Sequence, residues 1–341
     1  MRSLAQGRDC MADMLRAGLV GLGAMGRNHA RVLRELPGVE LVAVADAQGD
    51  KYGAAGGLPV LPDVDALIAT GLDMAVVAVP TEAHEEAALK LAEAGVHTMV
   101  EKPIASTVEA GRRMVEAFES RGLVGAVGHI ERFNPALQQL RQRLEAGELG
   151  DVYQIATRRQ GPFPARIADV GVALDLGSHD IDLTAWVAQS PYRSVFAQAQ
   201  TKSGRPHEDM IVVVGRLASG VMTNHIVNWL SPMKERLTVV VGERGAFVAD
   251  TLTGDLTFHA NGTFVTEWQT VASFRGVTEG DVVRFAYQKR EPLRVEHEAF
   301  RDAVLGIRQD HVTMAEGLRT RNVIGAILES AATGQPQSIV E

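Results

Sequence analysis

Apolar and polar positions follow one rhythm up to about residue 130 and another beyond it. In the first stretch, unbroken apolar runs alternate with segments whose apolar residues recur every three or four positions. AGLVGLG, ELVAVAD, DMAVVAVP, HTMVEKP and LVGAVGHI read as strands. RNHARVLREL reads as a helix, with Val32, Leu33 and Leu36 on one face. PDVDALIAT, EAHEEAALKLAEAG and VEAGRRMVEAFESRG follow the same period, with Gly95 as a C-terminal stop for the second. Strands without apolar–polar alternation are buried on both faces, and helices between them imply parallel pairing. The expected fold is α/β, opening with a doubly wound parallel sheet.

Beyond 130 the pattern changes. Asn134-Pro135 reads as an N-cap followed by proline at the first helical position, and the helix ALQQLRQRLEAG stops at Gly147. Then come long strand-like runs: DVYQIATRRQ, RSVFAQAQTK, DMIVVVGRLA, GVMTNHIVNWL and RLTVVVGE. Turn signals at Ala218-Ser219-Gly220 and Asn261-Gly262 separate them, and one helix interrupts them from about His179 to Val187. Such runs imply an α+β domain with a large, mostly antiparallel open sheet. VEHEAFRDAVLGI and EGLRTRNVIGAILESAA return to helix. The expected division is residues 15–128 and 129–341. Residues 1–14 are polar and aperiodic and read as a disordered leader, or as an upstream extension of a start at Met14.

Composition narrows the function classes. The 341 residues fit about two domains at ~150 residues each. The net charge of −8 and the lack of a Lys/Arg run argue against a nucleic-acid partner. No apolar stretch approaches the ~20 residues of a membrane helix, and the start has no apolar signal-peptide core. The single cysteine, Cys10, forms no internal disulfide and builds no cysteine metal site. A cytoplasmic location is expected. The glycine content of 34 is high without a collagen period, as many tight turns require.

The first chemical signature is Gly21-Leu22-Gly23-Ala24-Met25-Gly26. G-x-G-x-x-G is weak alone, but here it follows a strand and opens a helix. Gly21 permits the tight turn and Gly23 lets a pyrophosphate approach. Gly26 allows close packing, and the helix N-terminus offers N–H donors, so Ala24 and Met25 belong to the cradle. Asp46 ends the second strand 20 residues after Gly26, where an acid accepts from the ribose 2′-hydroxyl. That favours NAD over NADP. Pro80, Thr81, Glu101 and Lys102 fall at strand carboxyl ends, where such sheets bind ligands.

Together with this loop, His29-x-Arg31, AVPTEAH at 78–84, Glu101-Lys102-Pro103, GHIERFNP at 128–135 and DLGSHDIDL at 175–183 carry a resemblance. The chain resembles the glucose–fructose oxidoreductase / inositol dehydrogenase / MocA family from about Leu15 to Val340. The resemblance implies an N-terminal Rossmann domain and a C-terminal α/β domain with an open sheet. That sheet carries the substrate and often a homo-oligomer interface, here of a dimer or tetramer. It further implies an enzyme that oxidises a secondary alcohol of a sugar or cyclitol, or runs the reverse reduction. GHIERFNPA, RRQGPFPARIADVGVALDLGSHDIDL and NWLSPMKERLTVVVGERGAFVAD resemble the UDP-N-acetylglucosamine 3-dehydrogenase subgroup. Dehydrogenation of myo-inositol or a free sugar is the alternative. A non-catalytic NAD-binding sensor is a remoter one, which the presence of Lys102 and His179 disfavours.

Alcohol oxidation needs a base for the O–H proton and a donor for the nascent carbonyl oxygen. His179, expected to titrate near neutrality, reads as the proton acceptor, and Lys102 as the group that holds the oxygen. Members of the family differ over which residue is the base. Asp175 lies four residues before His179 and on a helix would share its face, orienting the imidazole or the substrate. Asp180 and Asp182 read as structural. His84 and Thr81 are expected beside the cofactor, with Glu101 at its ribose. His129, Arg132 and Asn134 follow the last Rossmann strand and are substrate candidates, Arg132 being equally a tie between domains. A nucleotide diphosphate needs cations, and Arg158, Arg159, Arg166, Lys234 and Arg236 are the candidates. Carboxylates beside His179 show no recognised ligand spacing, so no metal is expected.

Overall fold

The computed structural model describes residues 14–164, 170–262 and 278–339. Arg166 and residues 1–13 of the expected leader lie outside the described residues. Contacts divide the described chain into two compact units. One holds the residues up to Glu101 with Glu116–Ala126 and His297–His311; the other holds the described parts of Lys102–Val115, Val127–Glu296 and Val312–Glu341.

The first unit is built on a six-stranded sheet of order β3-β2-β1-β4-β5-β6. The strands are β1 (Leu15–Val20), β2 (Val39–Ala45), β3 (Val60–Leu61), β4 (Met74–Val77), β5 (His97–Glu101) and β6 (Gly125–Gly128). β1 pairs in parallel with both β2 and β4, so the chain reverses its direction of winding there. β3, at two residues, is too short to show a period and was not expected. The intervening helices are α1 (Gly26–Glu35), α2 (Val64–Ile68), α3 (His84–Glu93) and α4 (Val108–Glu119). Leu19, Val44, Val76 and Met99 fill the core with Ala30 and Leu33 of α1 and Phe300 of a later helix, α7 (Pro292–Val304). This is the doubly wound, Rossmann-like sheet that the unbroken apolar runs imply.

The second unit is built on a nine-stranded sheet of order β14-β13-β12-β11-β7-β10-β9-β8-β15. Its strands are β7 (Val152–Pro162), β8 (Tyr192–Gln200), β9 (Met210–Leu217), β10 (Met222–Asn228), β11 (Leu230–Gly242), β12 (Gly245–Asp250), β13 (Asp255–Gly262), β14 (Thr278–Arg284) and β15 (Gln337–Ser338). The β7–β10 pair is parallel, and the other pairs are antiparallel. Asn261-Gly262 is not the expected turn. These residues are the last two of β13 and pair with Glu279 and Thr278 of β14.

The register gives the sheet two unlike faces. Ile155, Val195, Val213, Val227 and Val240 are buried under α5 (Pro135–Glu145), α6 (Ser178–Ala188) and α8 (Met314–Thr333), whose Leu140, Ile181 and Ile324 pack against them. The opposite face carries Val212, Val214 and Met222, which stay exposed. Asn134 caps α5 through Ala136 N–H with Pro135 next, and Gly147 takes the left-handed backbone (φ +73°) that ends it. Among the described residues no helix is long and apolar enough to cross a membrane.

Candidate active site

In the first unit the site is backbone geometry. Gly21 has φ +94°, and a Cβ there would lie 2.6 Å from Ala78 O. A Cβ on Gly26 would lie 2.0 Å from Gly21 O, so α1 can start this close to the turn only with glycine. A Cβ on Gly23 would meet nothing within 4 Å. The loop therefore closes tightly at its two ends and leaves room over its middle glycine. This is the shape a pyrophosphate needs at a helix N-terminus. Asp46 flanks it, with Oδ2 accepting the Leu22 N–H (2.7 Å) and Oδ1 the Gln48 N–H (2.8 Å). The residues present fit a bound dinucleotide.

Other expected cofactor residues are held by neighbours in the same unit. Glu101 Oε1 lies 2.8 Å from His29 Nε2, and His29 Nδ1 lies 2.8 Å from His297 Nε2. His297 stays well below the usual imidazole range, chiefly because burial disfavours its charged form. Sequence reading missed this chain, since 268 residues separate the two histidines. His84 is buried, its Nε2 3.0 Å from Val79 O, beside the short 3-10 turn Thr81–Ala83 that follows Pro80.

In the second unit the site is side-chain chemistry. Lys102 follows β5 directly, and its Nζ donates to Asp175 Oδ1 (2.8 Å) and to Asp175 O (2.9 Å). Asp175 sits in a π-helical turn, Ala173–Gly177, that runs into α6. Single π turns recur at functional sites. Asp175 thus pairs with Lys102, a partner the sequence does not single out for it. His179, in the first turn of α6, has a buried Nδ1 without a hydrogen-bond partner among the described residues. Burial, and then the charges of Lys102, Arg159, His129 and Arg236, hold its pKa well below the usual value. Near-neutral titration, expected from the ordinary imidazole value, is overturned by burial first and by these neighbours second.

The remaining candidates separate by face. Arg158 and Arg159 are consecutive on β7 and point to opposite faces of the sheet. Arg158 is exposed and bonds Glu235 (3.0 Å). Arg159 is buried between Asp180 (Nε to Oδ1, 3.0 Å) and Glu131 (Nη1 to Oε1, 2.9 Å). Burial pushes the Asp180 carboxyl up to about 6, with Arg159 opposing. Arg236 of β11 stands opposite Arg159 in the ladder and so shares its face. Burial and then the Arg159 charge hold Arg236 below its usual value, and its Nη1 is buried without a partner among the described residues.

Arg132 is a correction. It forks onto both oxygens of Asp182 (2.8 and 2.7 Å) and bonds Glu316 (2.7 Å), so its donors are spent inside the second unit. Asp182 is fully buried there, with His129 Nδ1 3.8 Å away. Asn134 is likewise structural: it caps α5 and donates to Thr251 O (3.0 Å). Lys234 is exposed. Of the four diphosphate candidates among the described residues, Arg159 and Arg236 share one face of the sheet, Arg158 lies on the other and Lys234 is exposed.

Comparison with known proteins follows this division. Residues 15–129 match the oxidoreductase family model with an NAD-binding Rossmann fold, and residues 137–248 match the GFO/IDH/MocA C-terminal domain. The chain belongs to the Gfo/Idh/MocA family. It is an oxidoreductase, and its cofactor is NAD. A UDP-N-acetylglucosamine 3-dehydrogenase of Acidithiobacillus ferrooxidans is 30% identical over 323 residues, covering 92% of this chain and 96% of that one. The solved structure of that organism's enzyme, GnnA, superposes with a TM-score of 0.82 at 26% identity, covering 94% of this chain and 98% of GnnA. Inositol 2-dehydrogenase 2 of Saccharopolyspora erythraea is also 30% identical, over 93% of each chain. The WlbA dehydrogenase of Bordetella pertussis, solved with NADH and UDP-GlcNAcA, superposes with a TM-score of 0.77 at 25% identity, over 96% of this chain and 99% of WlbA.

Proposed function

We propose that this family member oxidises a secondary hydroxyl of a sugar ring, with C3 of UDP-N-acetylglucosamine as the leading substrate. The observation that carries the reading is the Lys102–Asp175 ion pair in the same unit as a half-buried, neutral His179. Bound NAD supplies the acceptor for the hydride that leaves the carbinol carbon. His179, uncharged at neutral pH, takes the hydroxyl proton as the carbonyl forms. Asp175 fixes the direction of the Lys102 ammonium through two oxygens, and Lys102 donates to the developing carbonyl oxygen. Gly21, Gly23, Ala24, Met25 and Gly26 cradle the pyrophosphate, and Asp46 takes the ribose hydroxyl.

A second reading, dehydrogenation of myo-inositol or another uncharged polyol, is favoured by one observation. Arg132 and Arg159 are consumed by buried carboxylates, which leaves few cations for a diphosphate. The apolar open face of the nine-stranded sheet, with Val212, Val214 and Met222 exposed, suits association with further copies of the chain.

The test is reduction of NAD by the pure protein with each substrate in turn, the first coupled to an aminotransferase that consumes the ketone. Turnover with UDP-N-acetylglucosamine supports the leading reading, and turnover with inositol alone replaces it. Lys102→Met should lower kcat by about 10³-fold, within the range of lost proton-transfer and oxyanion groups, while NAD still binds. Near-full activity of that variant would remove Lys102 from the chemistry.

A further inference from the structure

We infer that Asp180 and Arg236 form a hydroxyl clamp, which selects a substrate carrying a free hydroxyl next to the one oxidised. The inference rests on the dehydrogenase reading above and adds a substrate feature to it. Asp180 is buried and bonds Arg159 through Oδ1 alone, leaving Oδ2 without a partner. Arg236 leaves Nη1 buried and unpartnered on the same face of the sheet. Arg159 links the two, bonding Asp180 and standing opposite Arg236 in the ladder, so an unmade carboxylate acceptor and an unmade guanidinium donor flank one side chain. A buried donor or acceptor left without a partner is costly, because it has lost its water and gained nothing in return. Burial, then Lys102, Arg159 and more weakly Arg236, keeps the His179 imidazole uncharged, so Arg236 lies within electrostatic reach of it, and Asp180 is the next residue along the chain.

The chemistry of the two orphans selects the ligand. Asp180 Oδ2 needs a donor, and Arg236 Nη1 needs an acceptor. A hydroxyl supplies both at once, whereas a carboxylate would be repelled by Asp180 and a methylene would leave both unmade. A sugar or cyclitol with neighbouring hydroxyls presents one to Lys102 and His179 and the next to the clamp. In UDP-N-acetylglucosamine oxidised at C3, the free neighbour is the C4 hydroxyl.

The experiment measures kcat and KM of wild type, Asp180→Asn, Arg236→Met and the double variant. The probes are UDP-N-acetylglucosamine, its 4-deoxy analogue and myo-inositol, with NAD affinity and thermal stability read alongside. The clamp predicts that Arg236→Met lowers kcat/KM at least 30-fold on the parent substrate with NAD affinity unchanged. Wild type should lose a similar factor on the 4-deoxy analogue, and Arg236→Met should lose little more on it, since one hydroxyl carries both effects. Arg236→Lys should recover part of the loss. If wild type turns over a probe but the variants stay within threefold of it, the clamp is overturned and the dehydrogenase reading stands. Lower stability with unchanged kinetics overturns the clamp equally. If wild type oxidises neither UDP-N-acetylglucosamine nor myo-inositol, the substrate reading falls, and the clamp falls with it.

Discussion

The two units prepare for their ligands by opposite means. The first relies on what is missing: three glycines withhold side chains, so a turn can tighten at Gly21 and Gly26 and stay open at Gly23. The second relies on what is crowded together. Lys102, Asp175, Asp180, Asp182, Arg132 and Arg159 are buried or nearly so, and each is held by an opposite charge. Backbone shape is fixed by a few adjacent residues. Buried charge depends on partners far apart in sequence, and removing one partner leaves the other stranded in a poorly solvated interior.

The sharpest way to break that contrast is to remove one buried charge and one exposed charge of the same type. Arg132→Met leaves Asp182 buried with its two strongest hydrogen bonds gone, and should cost about 3–5 kcal/mol of stability. Arg158→Met removes an exposed pair with Glu235, and should cost less than about 1 kcal/mol. Urea unfolding of both variants reads the difference. Equal losses would mean that burial does not set the worth of these pairs.

The first unit permits a matched pair of its own. Gly26→Ala places a Cβ 2.0 Å from Gly21 O, so α1 must move away from the turn. It should cost about 1–3 kcal/mol by overpacking, along with NAD affinity. Gly23→Ala meets no protein atom within 4 Å and should fold like wild type. Its methyl enters the space left for the pyrophosphate, so NAD should bind at least about tenfold more weakly, or about 1.4 kcal/mol. Calorimetric titration of NAD checks this. Unchanged affinity in Gly23→Ala would move the dinucleotide off this loop.

The same contrast explains how much could be read from the sequence. The Rossmann half was legible because its signature is local: a strand, three glycines within six residues, a helix, and an acid one strand later. Lys102 and His179 were legible by family resemblance. Which arginine faces which side was not. Arg158 and Arg159 are neighbours with opposite fates, and only the pleat separates them. That Arg236 joins Arg159 depends on the pairing of β11 with β7, a register the apolar pattern does not specify. The Arg132–Glu316 bond spans 184 residues. The Lys102–Asp175 bond spans 73 residues, beyond the reach of any local pattern.

The smallest effect per group is also the most general. His225 and His297 are buried and His179 half-buried, and all three are held well below the usual imidazole value, His225 at about 3 by burial alone. His225 is fixed between Thr157 and Tyr192 at 2.8 Å each. Once unfolded, each histidine protonates near 6.5, so below that pH the unfolded chain binds more protons and stability falls. Asp180 works the other way. Its folded value of about 6 lies above the unfolded one, so its contribution is complete below the unfolded carboxylate pKa and is lost as pH rises through 6. Stability should therefore fall as pH is lowered through the range in which the unfolded imidazoles protonate, with Asp180 offsetting part of the fall. The carboxylates lowered by Arg132 and Arg159, Asp182 and Glu131 among them, add their loss only at lower pH. Urea midpoints across this range measure the slope, and a flat profile would mean that these imidazoles gain charge in the folded protein.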